Sequence, residues 1–299
     1  MIVFLSTRRH DYTIRRYLDD PAGAIADRFA IVAYEDALGA DVGQLPAGTW
    51  IFTDYDRLPA AESAAAAALW RELRSRGCRT LNHPTRSLRR YALMRTLSAD
   101  GINDYDAWPL DDLRPPPRWP VFLRRVDAHS GPASHLLPTR ERLDRALAHV
   151  RRVGWPLDAF IAVEFCDTRD PDGLYRKFTA LRIGAATFPF DVTAAPDWAV
   201  KYGRQGRWSA AHLEWEADFI ERNPHAQQVT AIFDRAGVEY GRIDYGLRDG
   251  RIQVWEINSN PSFSGLTSRM AERARANRIT NERIMTAFAA LDAPTQPAP

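Results

Sequence analysis

Asp244, Glu256 and Asn258 are the three side chains of this sequence whose types and spacing could do chemistry together. They lie in YGRIDYGLRDGRIQVWEINSNPSFSG, residues 240–265. GRIDYGL and RIQVWEIN each read as a short strand rich in β-branched and aromatic residues, and the Arg248-Asp249-Gly250 step between them is a hairpin turn signal. Glu256 and Asn258 are two apart, so a strand sends both to one face, and a suitable register sets Asp244 across from them. Two carboxylates and an amide oxygen make a hard, all-oxygen donor set, which suits Mg²⁺ carried in with nucleotide phosphates and does not suit zinc. A plainer reading stands beside this one: a solvated hairpin with carboxylates near its turn, closed by an Asn-x-Asn-Pro loop. The rest of the chain decides between them.

At 299 residues the chain has room for about two domains with ample core. Its hydrophobic and charged fractions, 45% and 26%, are those of an ordinary globular protein. Forty basic against thirty-eight acidic residues leave a formal charge of +2, so nothing in the balance calls for nucleic acid or an anionic membrane, and anion specificity has to be local. Cys78 and Cys166 match neither a disulfide framework nor a metal-ligand spacing, and Cys166 in the apolar run DAFIAVEFC reads as a buried free thiol. The opening MIVFLS is too short for a signal-peptide core, and no apolar run approaches the ~20 residues of a membrane span. A reducing cytoplasm is the expected setting.

The elements that must position these residues follow in chain order. MIVFLS, FAIVAYED, GTWIFTDYD and CRTLNHP read as short strands, and the Ala-rich stretch 60–76 as a strong helix, which predicts an α/β unit with a largely parallel sheet. No G-x-G-x-x-G follows the first strand, so a dinucleotide site is not expected there. RSLRRYALMRTLSAD reads as a basic helix stopped by Gly101, LRPPPRWP as a boundary loop, VFLRRVDAHSG as strand into turn, and PTRERLDRALAHVRR as a helix capped by Thr139. FIAVEFCDT and YRKFTALRIGAATFPFDV read as antiparallel strands joined by the turn RDPDG. A helical stretch over 210–236 leads into the hairpin, and a last helix over 270–291 precedes a Pro/Ala tail expected to be frayed.

Taken in this order, the motifs resemble the ATP-grasp superfamily, and within it the small carboxylate-amine ligases akin to glutathione synthetase and the ribosomal-protein glutamate ligases. The resemblance covers most of the chain. Its most specific part is Asp244 followed by Glu256-Ile257-Asn258-Ser259-Asn260-Pro261, which is similar to the family's strand aspartate and E-x-N-x-x-P signature. It implies that Asp244, Glu256 and Asn258 ligate Mg²⁺ (or Mn²⁺) bridging the phosphates of ATP. NHPTRSLRRYALMRTLSADGIN resembles the segment carrying one nucleotide lysine, which falls on Arg90, and VFLRRVDAHSG resembles the strand and phosphate-covering loop, whose lysine falls on Arg124. FIAVEFCD is similar to the hinge strand, so Glu164, Phe165 and Cys166 would line the base, with Asp167 near the ribose. YRKFTALRIG resembles the strand bringing an arginine toward the γ-phosphate; the resemblance puts that role on Arg176, with Lys177 on the opposite face.

The sequence departs from the family pattern in three places. Both nucleotide lysines are arginines, which keep the charge and grip phosphate bidentately but are bulkier and stiffer. The loop DAHSGP carries a single glycine, followed by Pro132, so His129 or Ser130 would have to contribute contacts, and Pro261 is followed by Ser262 where the family often has glycine, with Gly265 left to restore room.

The resemblance implies an α/β fold, α+β in its C-terminal part: a Rossmann-like parallel α/β domain over 1–83, then a two-lobed ATP-grasp domain over 84–292, with a central lid lobe at about 118–163, a C-terminal lobe at about 164–292, and a disordered tail over 293–299. It implies an ADP-forming ligase that makes an amide through an acyl phosphate, using small carboxylate and amine substrates or a peptide or protein acceptor, with a homodimer compatible with the class. Arg242, Lys201 and Arg269 are candidates to grip a substrate carboxylate, and FPFDVTAAPDWAVKYGRQGRW to form a lid or wall. Two alternatives stay open: a kinase of the same fold, and a nucleotide-binding protein without catalysis.

Overall fold

In the computed structural model, residues 1–20, 25–111, 118–128, 131–200, 209–263 and 273–292 are described. The tail 293–299 and the candidates His129, Ser130, Lys201, Gly265 and Arg269 lie outside them.

The first unit alternates as its sequence implies: β1 (Ile2–Ser6), α1 (Tyr12–Leu18), β2 (Phe29–Ala33), α2 (Tyr34–Ala37), β3 (Thr49–Phe52), α3 (Ala60–Ser75) and β4 (Arg79–Leu81). The strands pair in parallel in the order β2-β1-β3-β4. Strands β1 and β3 are buried along their whole length, which is why both read as continuous apolar runs rather than as alternating ones. Then come α4 (Arg90–Ala99), β5 (Ala107–Pro109), β6 (Val121–Arg125), α5 (Arg140–Arg152) and β7 (Phe160–Glu164), with the three strands in an antiparallel sheet ordered β5-β7-β6. The last part has β8 (Tyr175–Ile183), β9 (Ala186–Ala195), α6 (Ala210–Arg222), α7 (Ala226–Ala236), β10 (Tyr240–Arg248), β11 (Arg251–Asn258) and α8 (Ala274–Asp292). Its sheet is antiparallel, in the order β11-β10-β8-β9. Among the described residues no helix is long and apolar enough to cross a membrane.

The first and last sheets are fused by a shared core and by one asparagine. Ile2 and Phe4 of β1 pack in one cluster with Leu181, Tyr240, Phe263 and Phe288, so α8 returns to close the parallel sheet. Asn82, just past β4, is fully buried in a left-handed conformation with φ of 61°. Its amide donates to Phe52 O at 3.1 Å and Tyr240 O at 2.8 Å, and its oxygen accepts from the backbone N–H of Glu239 at 2.8 Å and of Tyr240 at 3.0 Å. Asparagine tolerates that conformation and carries both donors and acceptors, so one side chain bridges β3 to β10.

Three expectations are corrected, and one strand was missed. RDPDG does not close a hairpin: β7 pairs with β5 and β6, β8 pairs with β9 and β10, and the segment passes from one sheet to another. The stretch 210–236 is two helices, because Asn223 adopts φ of 47° and Pro224 cannot continue the ladder. The basic helix begins at Arg90 rather than Arg86, since Ser87 Oγ donates to Gly237 O at 2.6 Å and Leu88 N to Ala236 O at 2.8 Å, which commits those residues to the end of α7. Strand β5 had no sequence signal, being only three residues long and ending in proline.

Candidate functional site

The hairpin is built as its turn demands. Asp249 and Gly250 take φ of 51° and 74°, two left-handed residues in succession, the geometry of a tight two-residue hairpin loop. The register sets Asp244 opposite Glu256 and Arg242 opposite Asn258. On the turn side of Asp244 it shifts: Tyr245 pairs with Val254, leaving Trp255 as an extra residue on β11. Such a bulge re-aims side chains, and here Trp255 and Glu256, adjacent in sequence, both line one cavity. The Trp255 ring lies against Gly246, where an added Cβ would stand 2.4 Å from it.

That cavity measures about 250 Å³. One end is charged, lined by Arg124, Lys177, Arg242, Asp244, Glu256 and Asn258. The other is aromatic, where Trp198 stands 4.8 Å from Phe122 and 5.7 Å from Phe165, ring centre to ring centre. The arrangement offers a flat apolar slot leading to a set of point charges.

The charges are paired across the strands. Glu256 Oε2 takes the guanidinium of Arg124 at 2.8 Å and that of Arg90 as well. Arg90 also donates to Arg125 O at 2.7 Å and Val126 O at 3.2 Å, which fixes it at the end of β6. Burial lowers the Arg90 pKa, and the Glu256 charge acts against that fall. Lys177 Nζ lies 3.3 Å from Asp244 Oδ2, and the Asp244 charge raises the lysine pKa. Burial disfavours the charge of Arg242, but Asp244, Asp191 and Glu256 together raise its pKa. Among the described residues, four cations therefore face two carboxylates, and positive charge stays in excess when Asp191, which Thr179 Oγ1 contacts at 2.8 Å, is counted too. A buried excess of positive charge favours an anion as ligand.

Among the described residues no three His, Cys, Asp or Glu side chains gather into a metal cluster. The oxygen set reaches three only with the Asn258 amide. Those donors still fit a hard cation: they share one face of the hairpin, and buried Asp244 Oδ1 makes no hydrogen bond, the Arg242 Nε standing 3.4 Å away. Asn258 Oδ1 is aimed by the Asn260 N–H at 2.9 Å. Asn260 in turn donates to Asp54 Oδ2 at 2.9 Å and to His10 O at 3.1 Å, and Ser259 Oγ donates to Asp56 at 2.6 Å. The end of β11 is thus pinned to the loops that follow β1 and β3, at the carboxyl ends of the parallel strands, where open α/β sheets place their ligands.

Of the other residues singled out from the sequence, Glu164, Phe165 and Cys166 line the cavity. Glu164 Oε2 accepts from Arg118 at 2.8 Å and from the Asp106 N–H at 3.1 Å, and burial pushes the Cys166 thiol up. Asp167 is exposed, accepts from the Arg169 N–H at 3.1 Å, and lies off the cavity wall. Arg176 and Lys177 leave β8 on opposite faces, and the structure puts Lys177 on the cavity side. Arg176 instead binds Asp170 at 2.5 Å and Asp172, over the Trp215 ring. The stretch expected as a lid or wall contributes Trp198, Ala199 and Val200. Tyr105, Phe122 and Trp255 were not anticipated; apolar residues in strands look alike whether they face a core or a cavity.

No protein-family model matches the chain, and no curated protein sequence matches it. Solved structures do. D-alanine–D-alanine ligase from Bacillus anthracis, solved in complex with ATP, aligns over 98% of this chain and 97% of its own at 13% identity, with a TM-score of 0.56. D-cycloserine synthetase aligns over 95% of this chain and 100% of its own at 17% identity, with a TM-score of 0.52. A RimK domain ATP-grasp protein from Sphaerobacter thermophilus aligns over 95% and 100% at 15% identity, with a TM-score of 0.51. Over nearly its whole length, then, this chain has the ATP-grasp fold.

Proposed function

We propose that the protein is an ATP- and Mg²⁺-dependent carboxylate-amine ligase that forms an amide through an acyl phosphate and releases ADP and phosphate. The observation that carries this reading is the cavity in which an aromatic slot leads to Arg124, Lys177 and Arg242 opposite Asp244, Glu256 and Asn258. Proteins of the same fold include ligases, one of them solved with ATP, which supports it. In this reading the base lies in the slot beside Glu164, Phe165 and Cys166, and the phosphate chain runs toward the hairpin. Residues 1–83 wall the substrate end, through the loops after β1 and β3.

The chemistry is charge management. A substrate carboxylate oxygen attacks the γ-phosphorus of ATP and ADP leaves; an amine then attacks the acyl carbon, loses a proton, and expels phosphate. Both partners of the first step are anions, and Arg124, Lys177 and Arg242 offset their repulsion. Mg²⁺ held by Asp244, Glu256 and Asn258 would supply further neutralisation of the phosphate oxygens. Arg242, whose Nη1 reaches Ser262 O at 3.3 Å, stands where the acyl group would form.

The test is Mg²⁺-dependent ADP release with pooled amino acids and small carboxylic acids, followed by mass spectrometry of the products. An adduct one water lighter than the sum of two pool members establishes the ligase. A phosphorylated acid that persists with amines present indicates a kinase instead, and Mg²⁺-dependent ATP binding without turnover indicates a protein acceptor or a non-catalytic role. The placement of the β8 side chains gives a second expectation. Lys177→Ala should weaken ATP binding by roughly tenfold, about 1.4 kcal/mol, while Arg176→Ala leaves it unchanged. Equal losses in equilibrium binding would mean that the cavity is not where phosphate sits.

A further inference from the structure

Resting on the reading of this cavity as a nucleotide site, we infer that Arg124 occupies the metal carboxylate Glu256 until a phosphate chain draws it away, so that nucleotide binds before the metal and unmasks its site. The two arginines on Glu256 are not equivalent. Arg90 is held by backbone carbonyls of Arg125 and Val126 in addition to Glu256, and it lies off the cavity wall. It is a positioning residue that keeps Glu256 Oε2 in place throughout. Arg124 lines the cavity and reaches Glu256 at 2.8 Å, yet its buried Nε has no hydrogen-bond partner. A buried guanidinium with an unused N–H is incompletely satisfied, and a planar fork matches phosphate oxygens better than a single carboxylate oxygen shared with a second arginine. Lys177 and Arg242 hold the other side of the cavity positive, so a phosphate chain entering there meets attraction before any cation is present. A divalent cation arriving alone meets the opposite: both carboxylates are already covered by positive side chains.

The arrangement makes arginine, in place of a lysine, part of the order of binding. A shorter, singly aimed ammonium would contact phosphate without spanning to the carboxylate as a fork does.

Two measurements test this. Mn²⁺ alone, followed by electron paramagnetic resonance, should bind wild type weakly, and Arg124→Gln or Arg124→Met should bind it roughly tenfold more tightly because the carboxylate is uncovered. Loss of an arginine that strengthens cation binding is the expected signature; unchanged or weaker Mn²⁺ binding in a variant whose melting curve shows it folded overturns the inference. Inorganic tripolyphosphate in EDTA, followed by the fluorescence of Trp198 and Trp255, should bind wild type without any metal, and no binding there overturns the inference without recourse to a variant. ATP with Mg²⁺ serves as the separate control: if it fails to bind wild type, the nucleotide reading itself falls, whereas if it binds and tripolyphosphate in EDTA does not, only the order of binding falls.

Discussion

Glu256→Ala is expected to lower the unfolding free energy of the ligand-free protein by about 3–5 kcal/mol and to cut ADP formation by roughly 10³-fold or more. Both effects have one cause. The side chains of Arg90 and Arg124 are 5% and 8% exposed, and both rest on the same carboxylate oxygen. Without it, two largely buried guanidiniums are left beside each other with no carboxylate between them. Burial already lowers the Arg90 pKa against the pull of Glu256, so deleting Glu256 removes the compensating charge. Catalysis fails because an oxygen donor and the order around it go together. Arg124→Ala in the Glu256→Ala background should then cost less than Arg124→Ala alone, since the charge left uncompensated is gone as well. Chemical denaturation of the four proteins of this cycle measures it. A Glu256→Ala protein as stable as wild type would show that the arginines are not held by that carboxylate.

Asn82→Ala is expected to cost about 4 kcal/mol, a large share of the roughly 5–15 kcal/mol that keeps a domain folded. The substitution strips partners from two buried N–H groups and two buried carbonyls at once, those of Glu239, Tyr240 and Phe52. It also places alanine at φ of 61°, a conformation it adopts at a cost of about 1 kcal/mol. Asn82→Asp should not rescue it: the oxygen can still accept from Glu239 and Tyr240, but the amide donations to Phe52 O and Tyr240 O become repulsions. Thermal and urea unfolding read the loss. A cost below about 1 kcal/mol would mean that water or neighbouring groups replace the four bonds.

These two residues mark what the sequence shows and what it hides. The hairpin was legible because Asp249-Gly250 dictates a two-residue turn and period-two spacing puts Glu256 and Asn258 on one face; the turn alone would set Asp244 opposite Trp255, and the bulge that brings Glu256 there instead was not legible. Which of Arg176 and Lys177 faces the cavity was not legible, because strand parity is set by pairing with β10, sixty-odd residues downstream, and not by anything local. The break at Asn223-Pro224 had a signal and was overrun by apolar periodicity on both sides. The passage of RDPDG from one sheet to the next had none, since a turn sequence states a change of direction and not the identity of the next neighbour. Asn82 read only as part of the strand-like run CRTLNHP, and its four bonds join elements about 30 and about 158 residues away. The doubled arginine grip on Glu256 was hidden for the same reason: the sequence placed three charges near one ligand, and only packing shows that they hold one another.

The most direct test of the proposed chemistry follows one oxygen atom. Carboxylic acids labelled with oxygen-18 in the carboxylate are incubated with ATP, Mg²⁺ and amines, and the phosphate released is weighed. An acyl phosphate requires that the bond from phosphorus to the substrate oxygen form first and that the bond from that oxygen to the acyl carbon break when the amine attacks, so one oxygen-18 should appear in each phosphate released with amide. Amide and ADP produced with unlabelled phosphate would contradict the account.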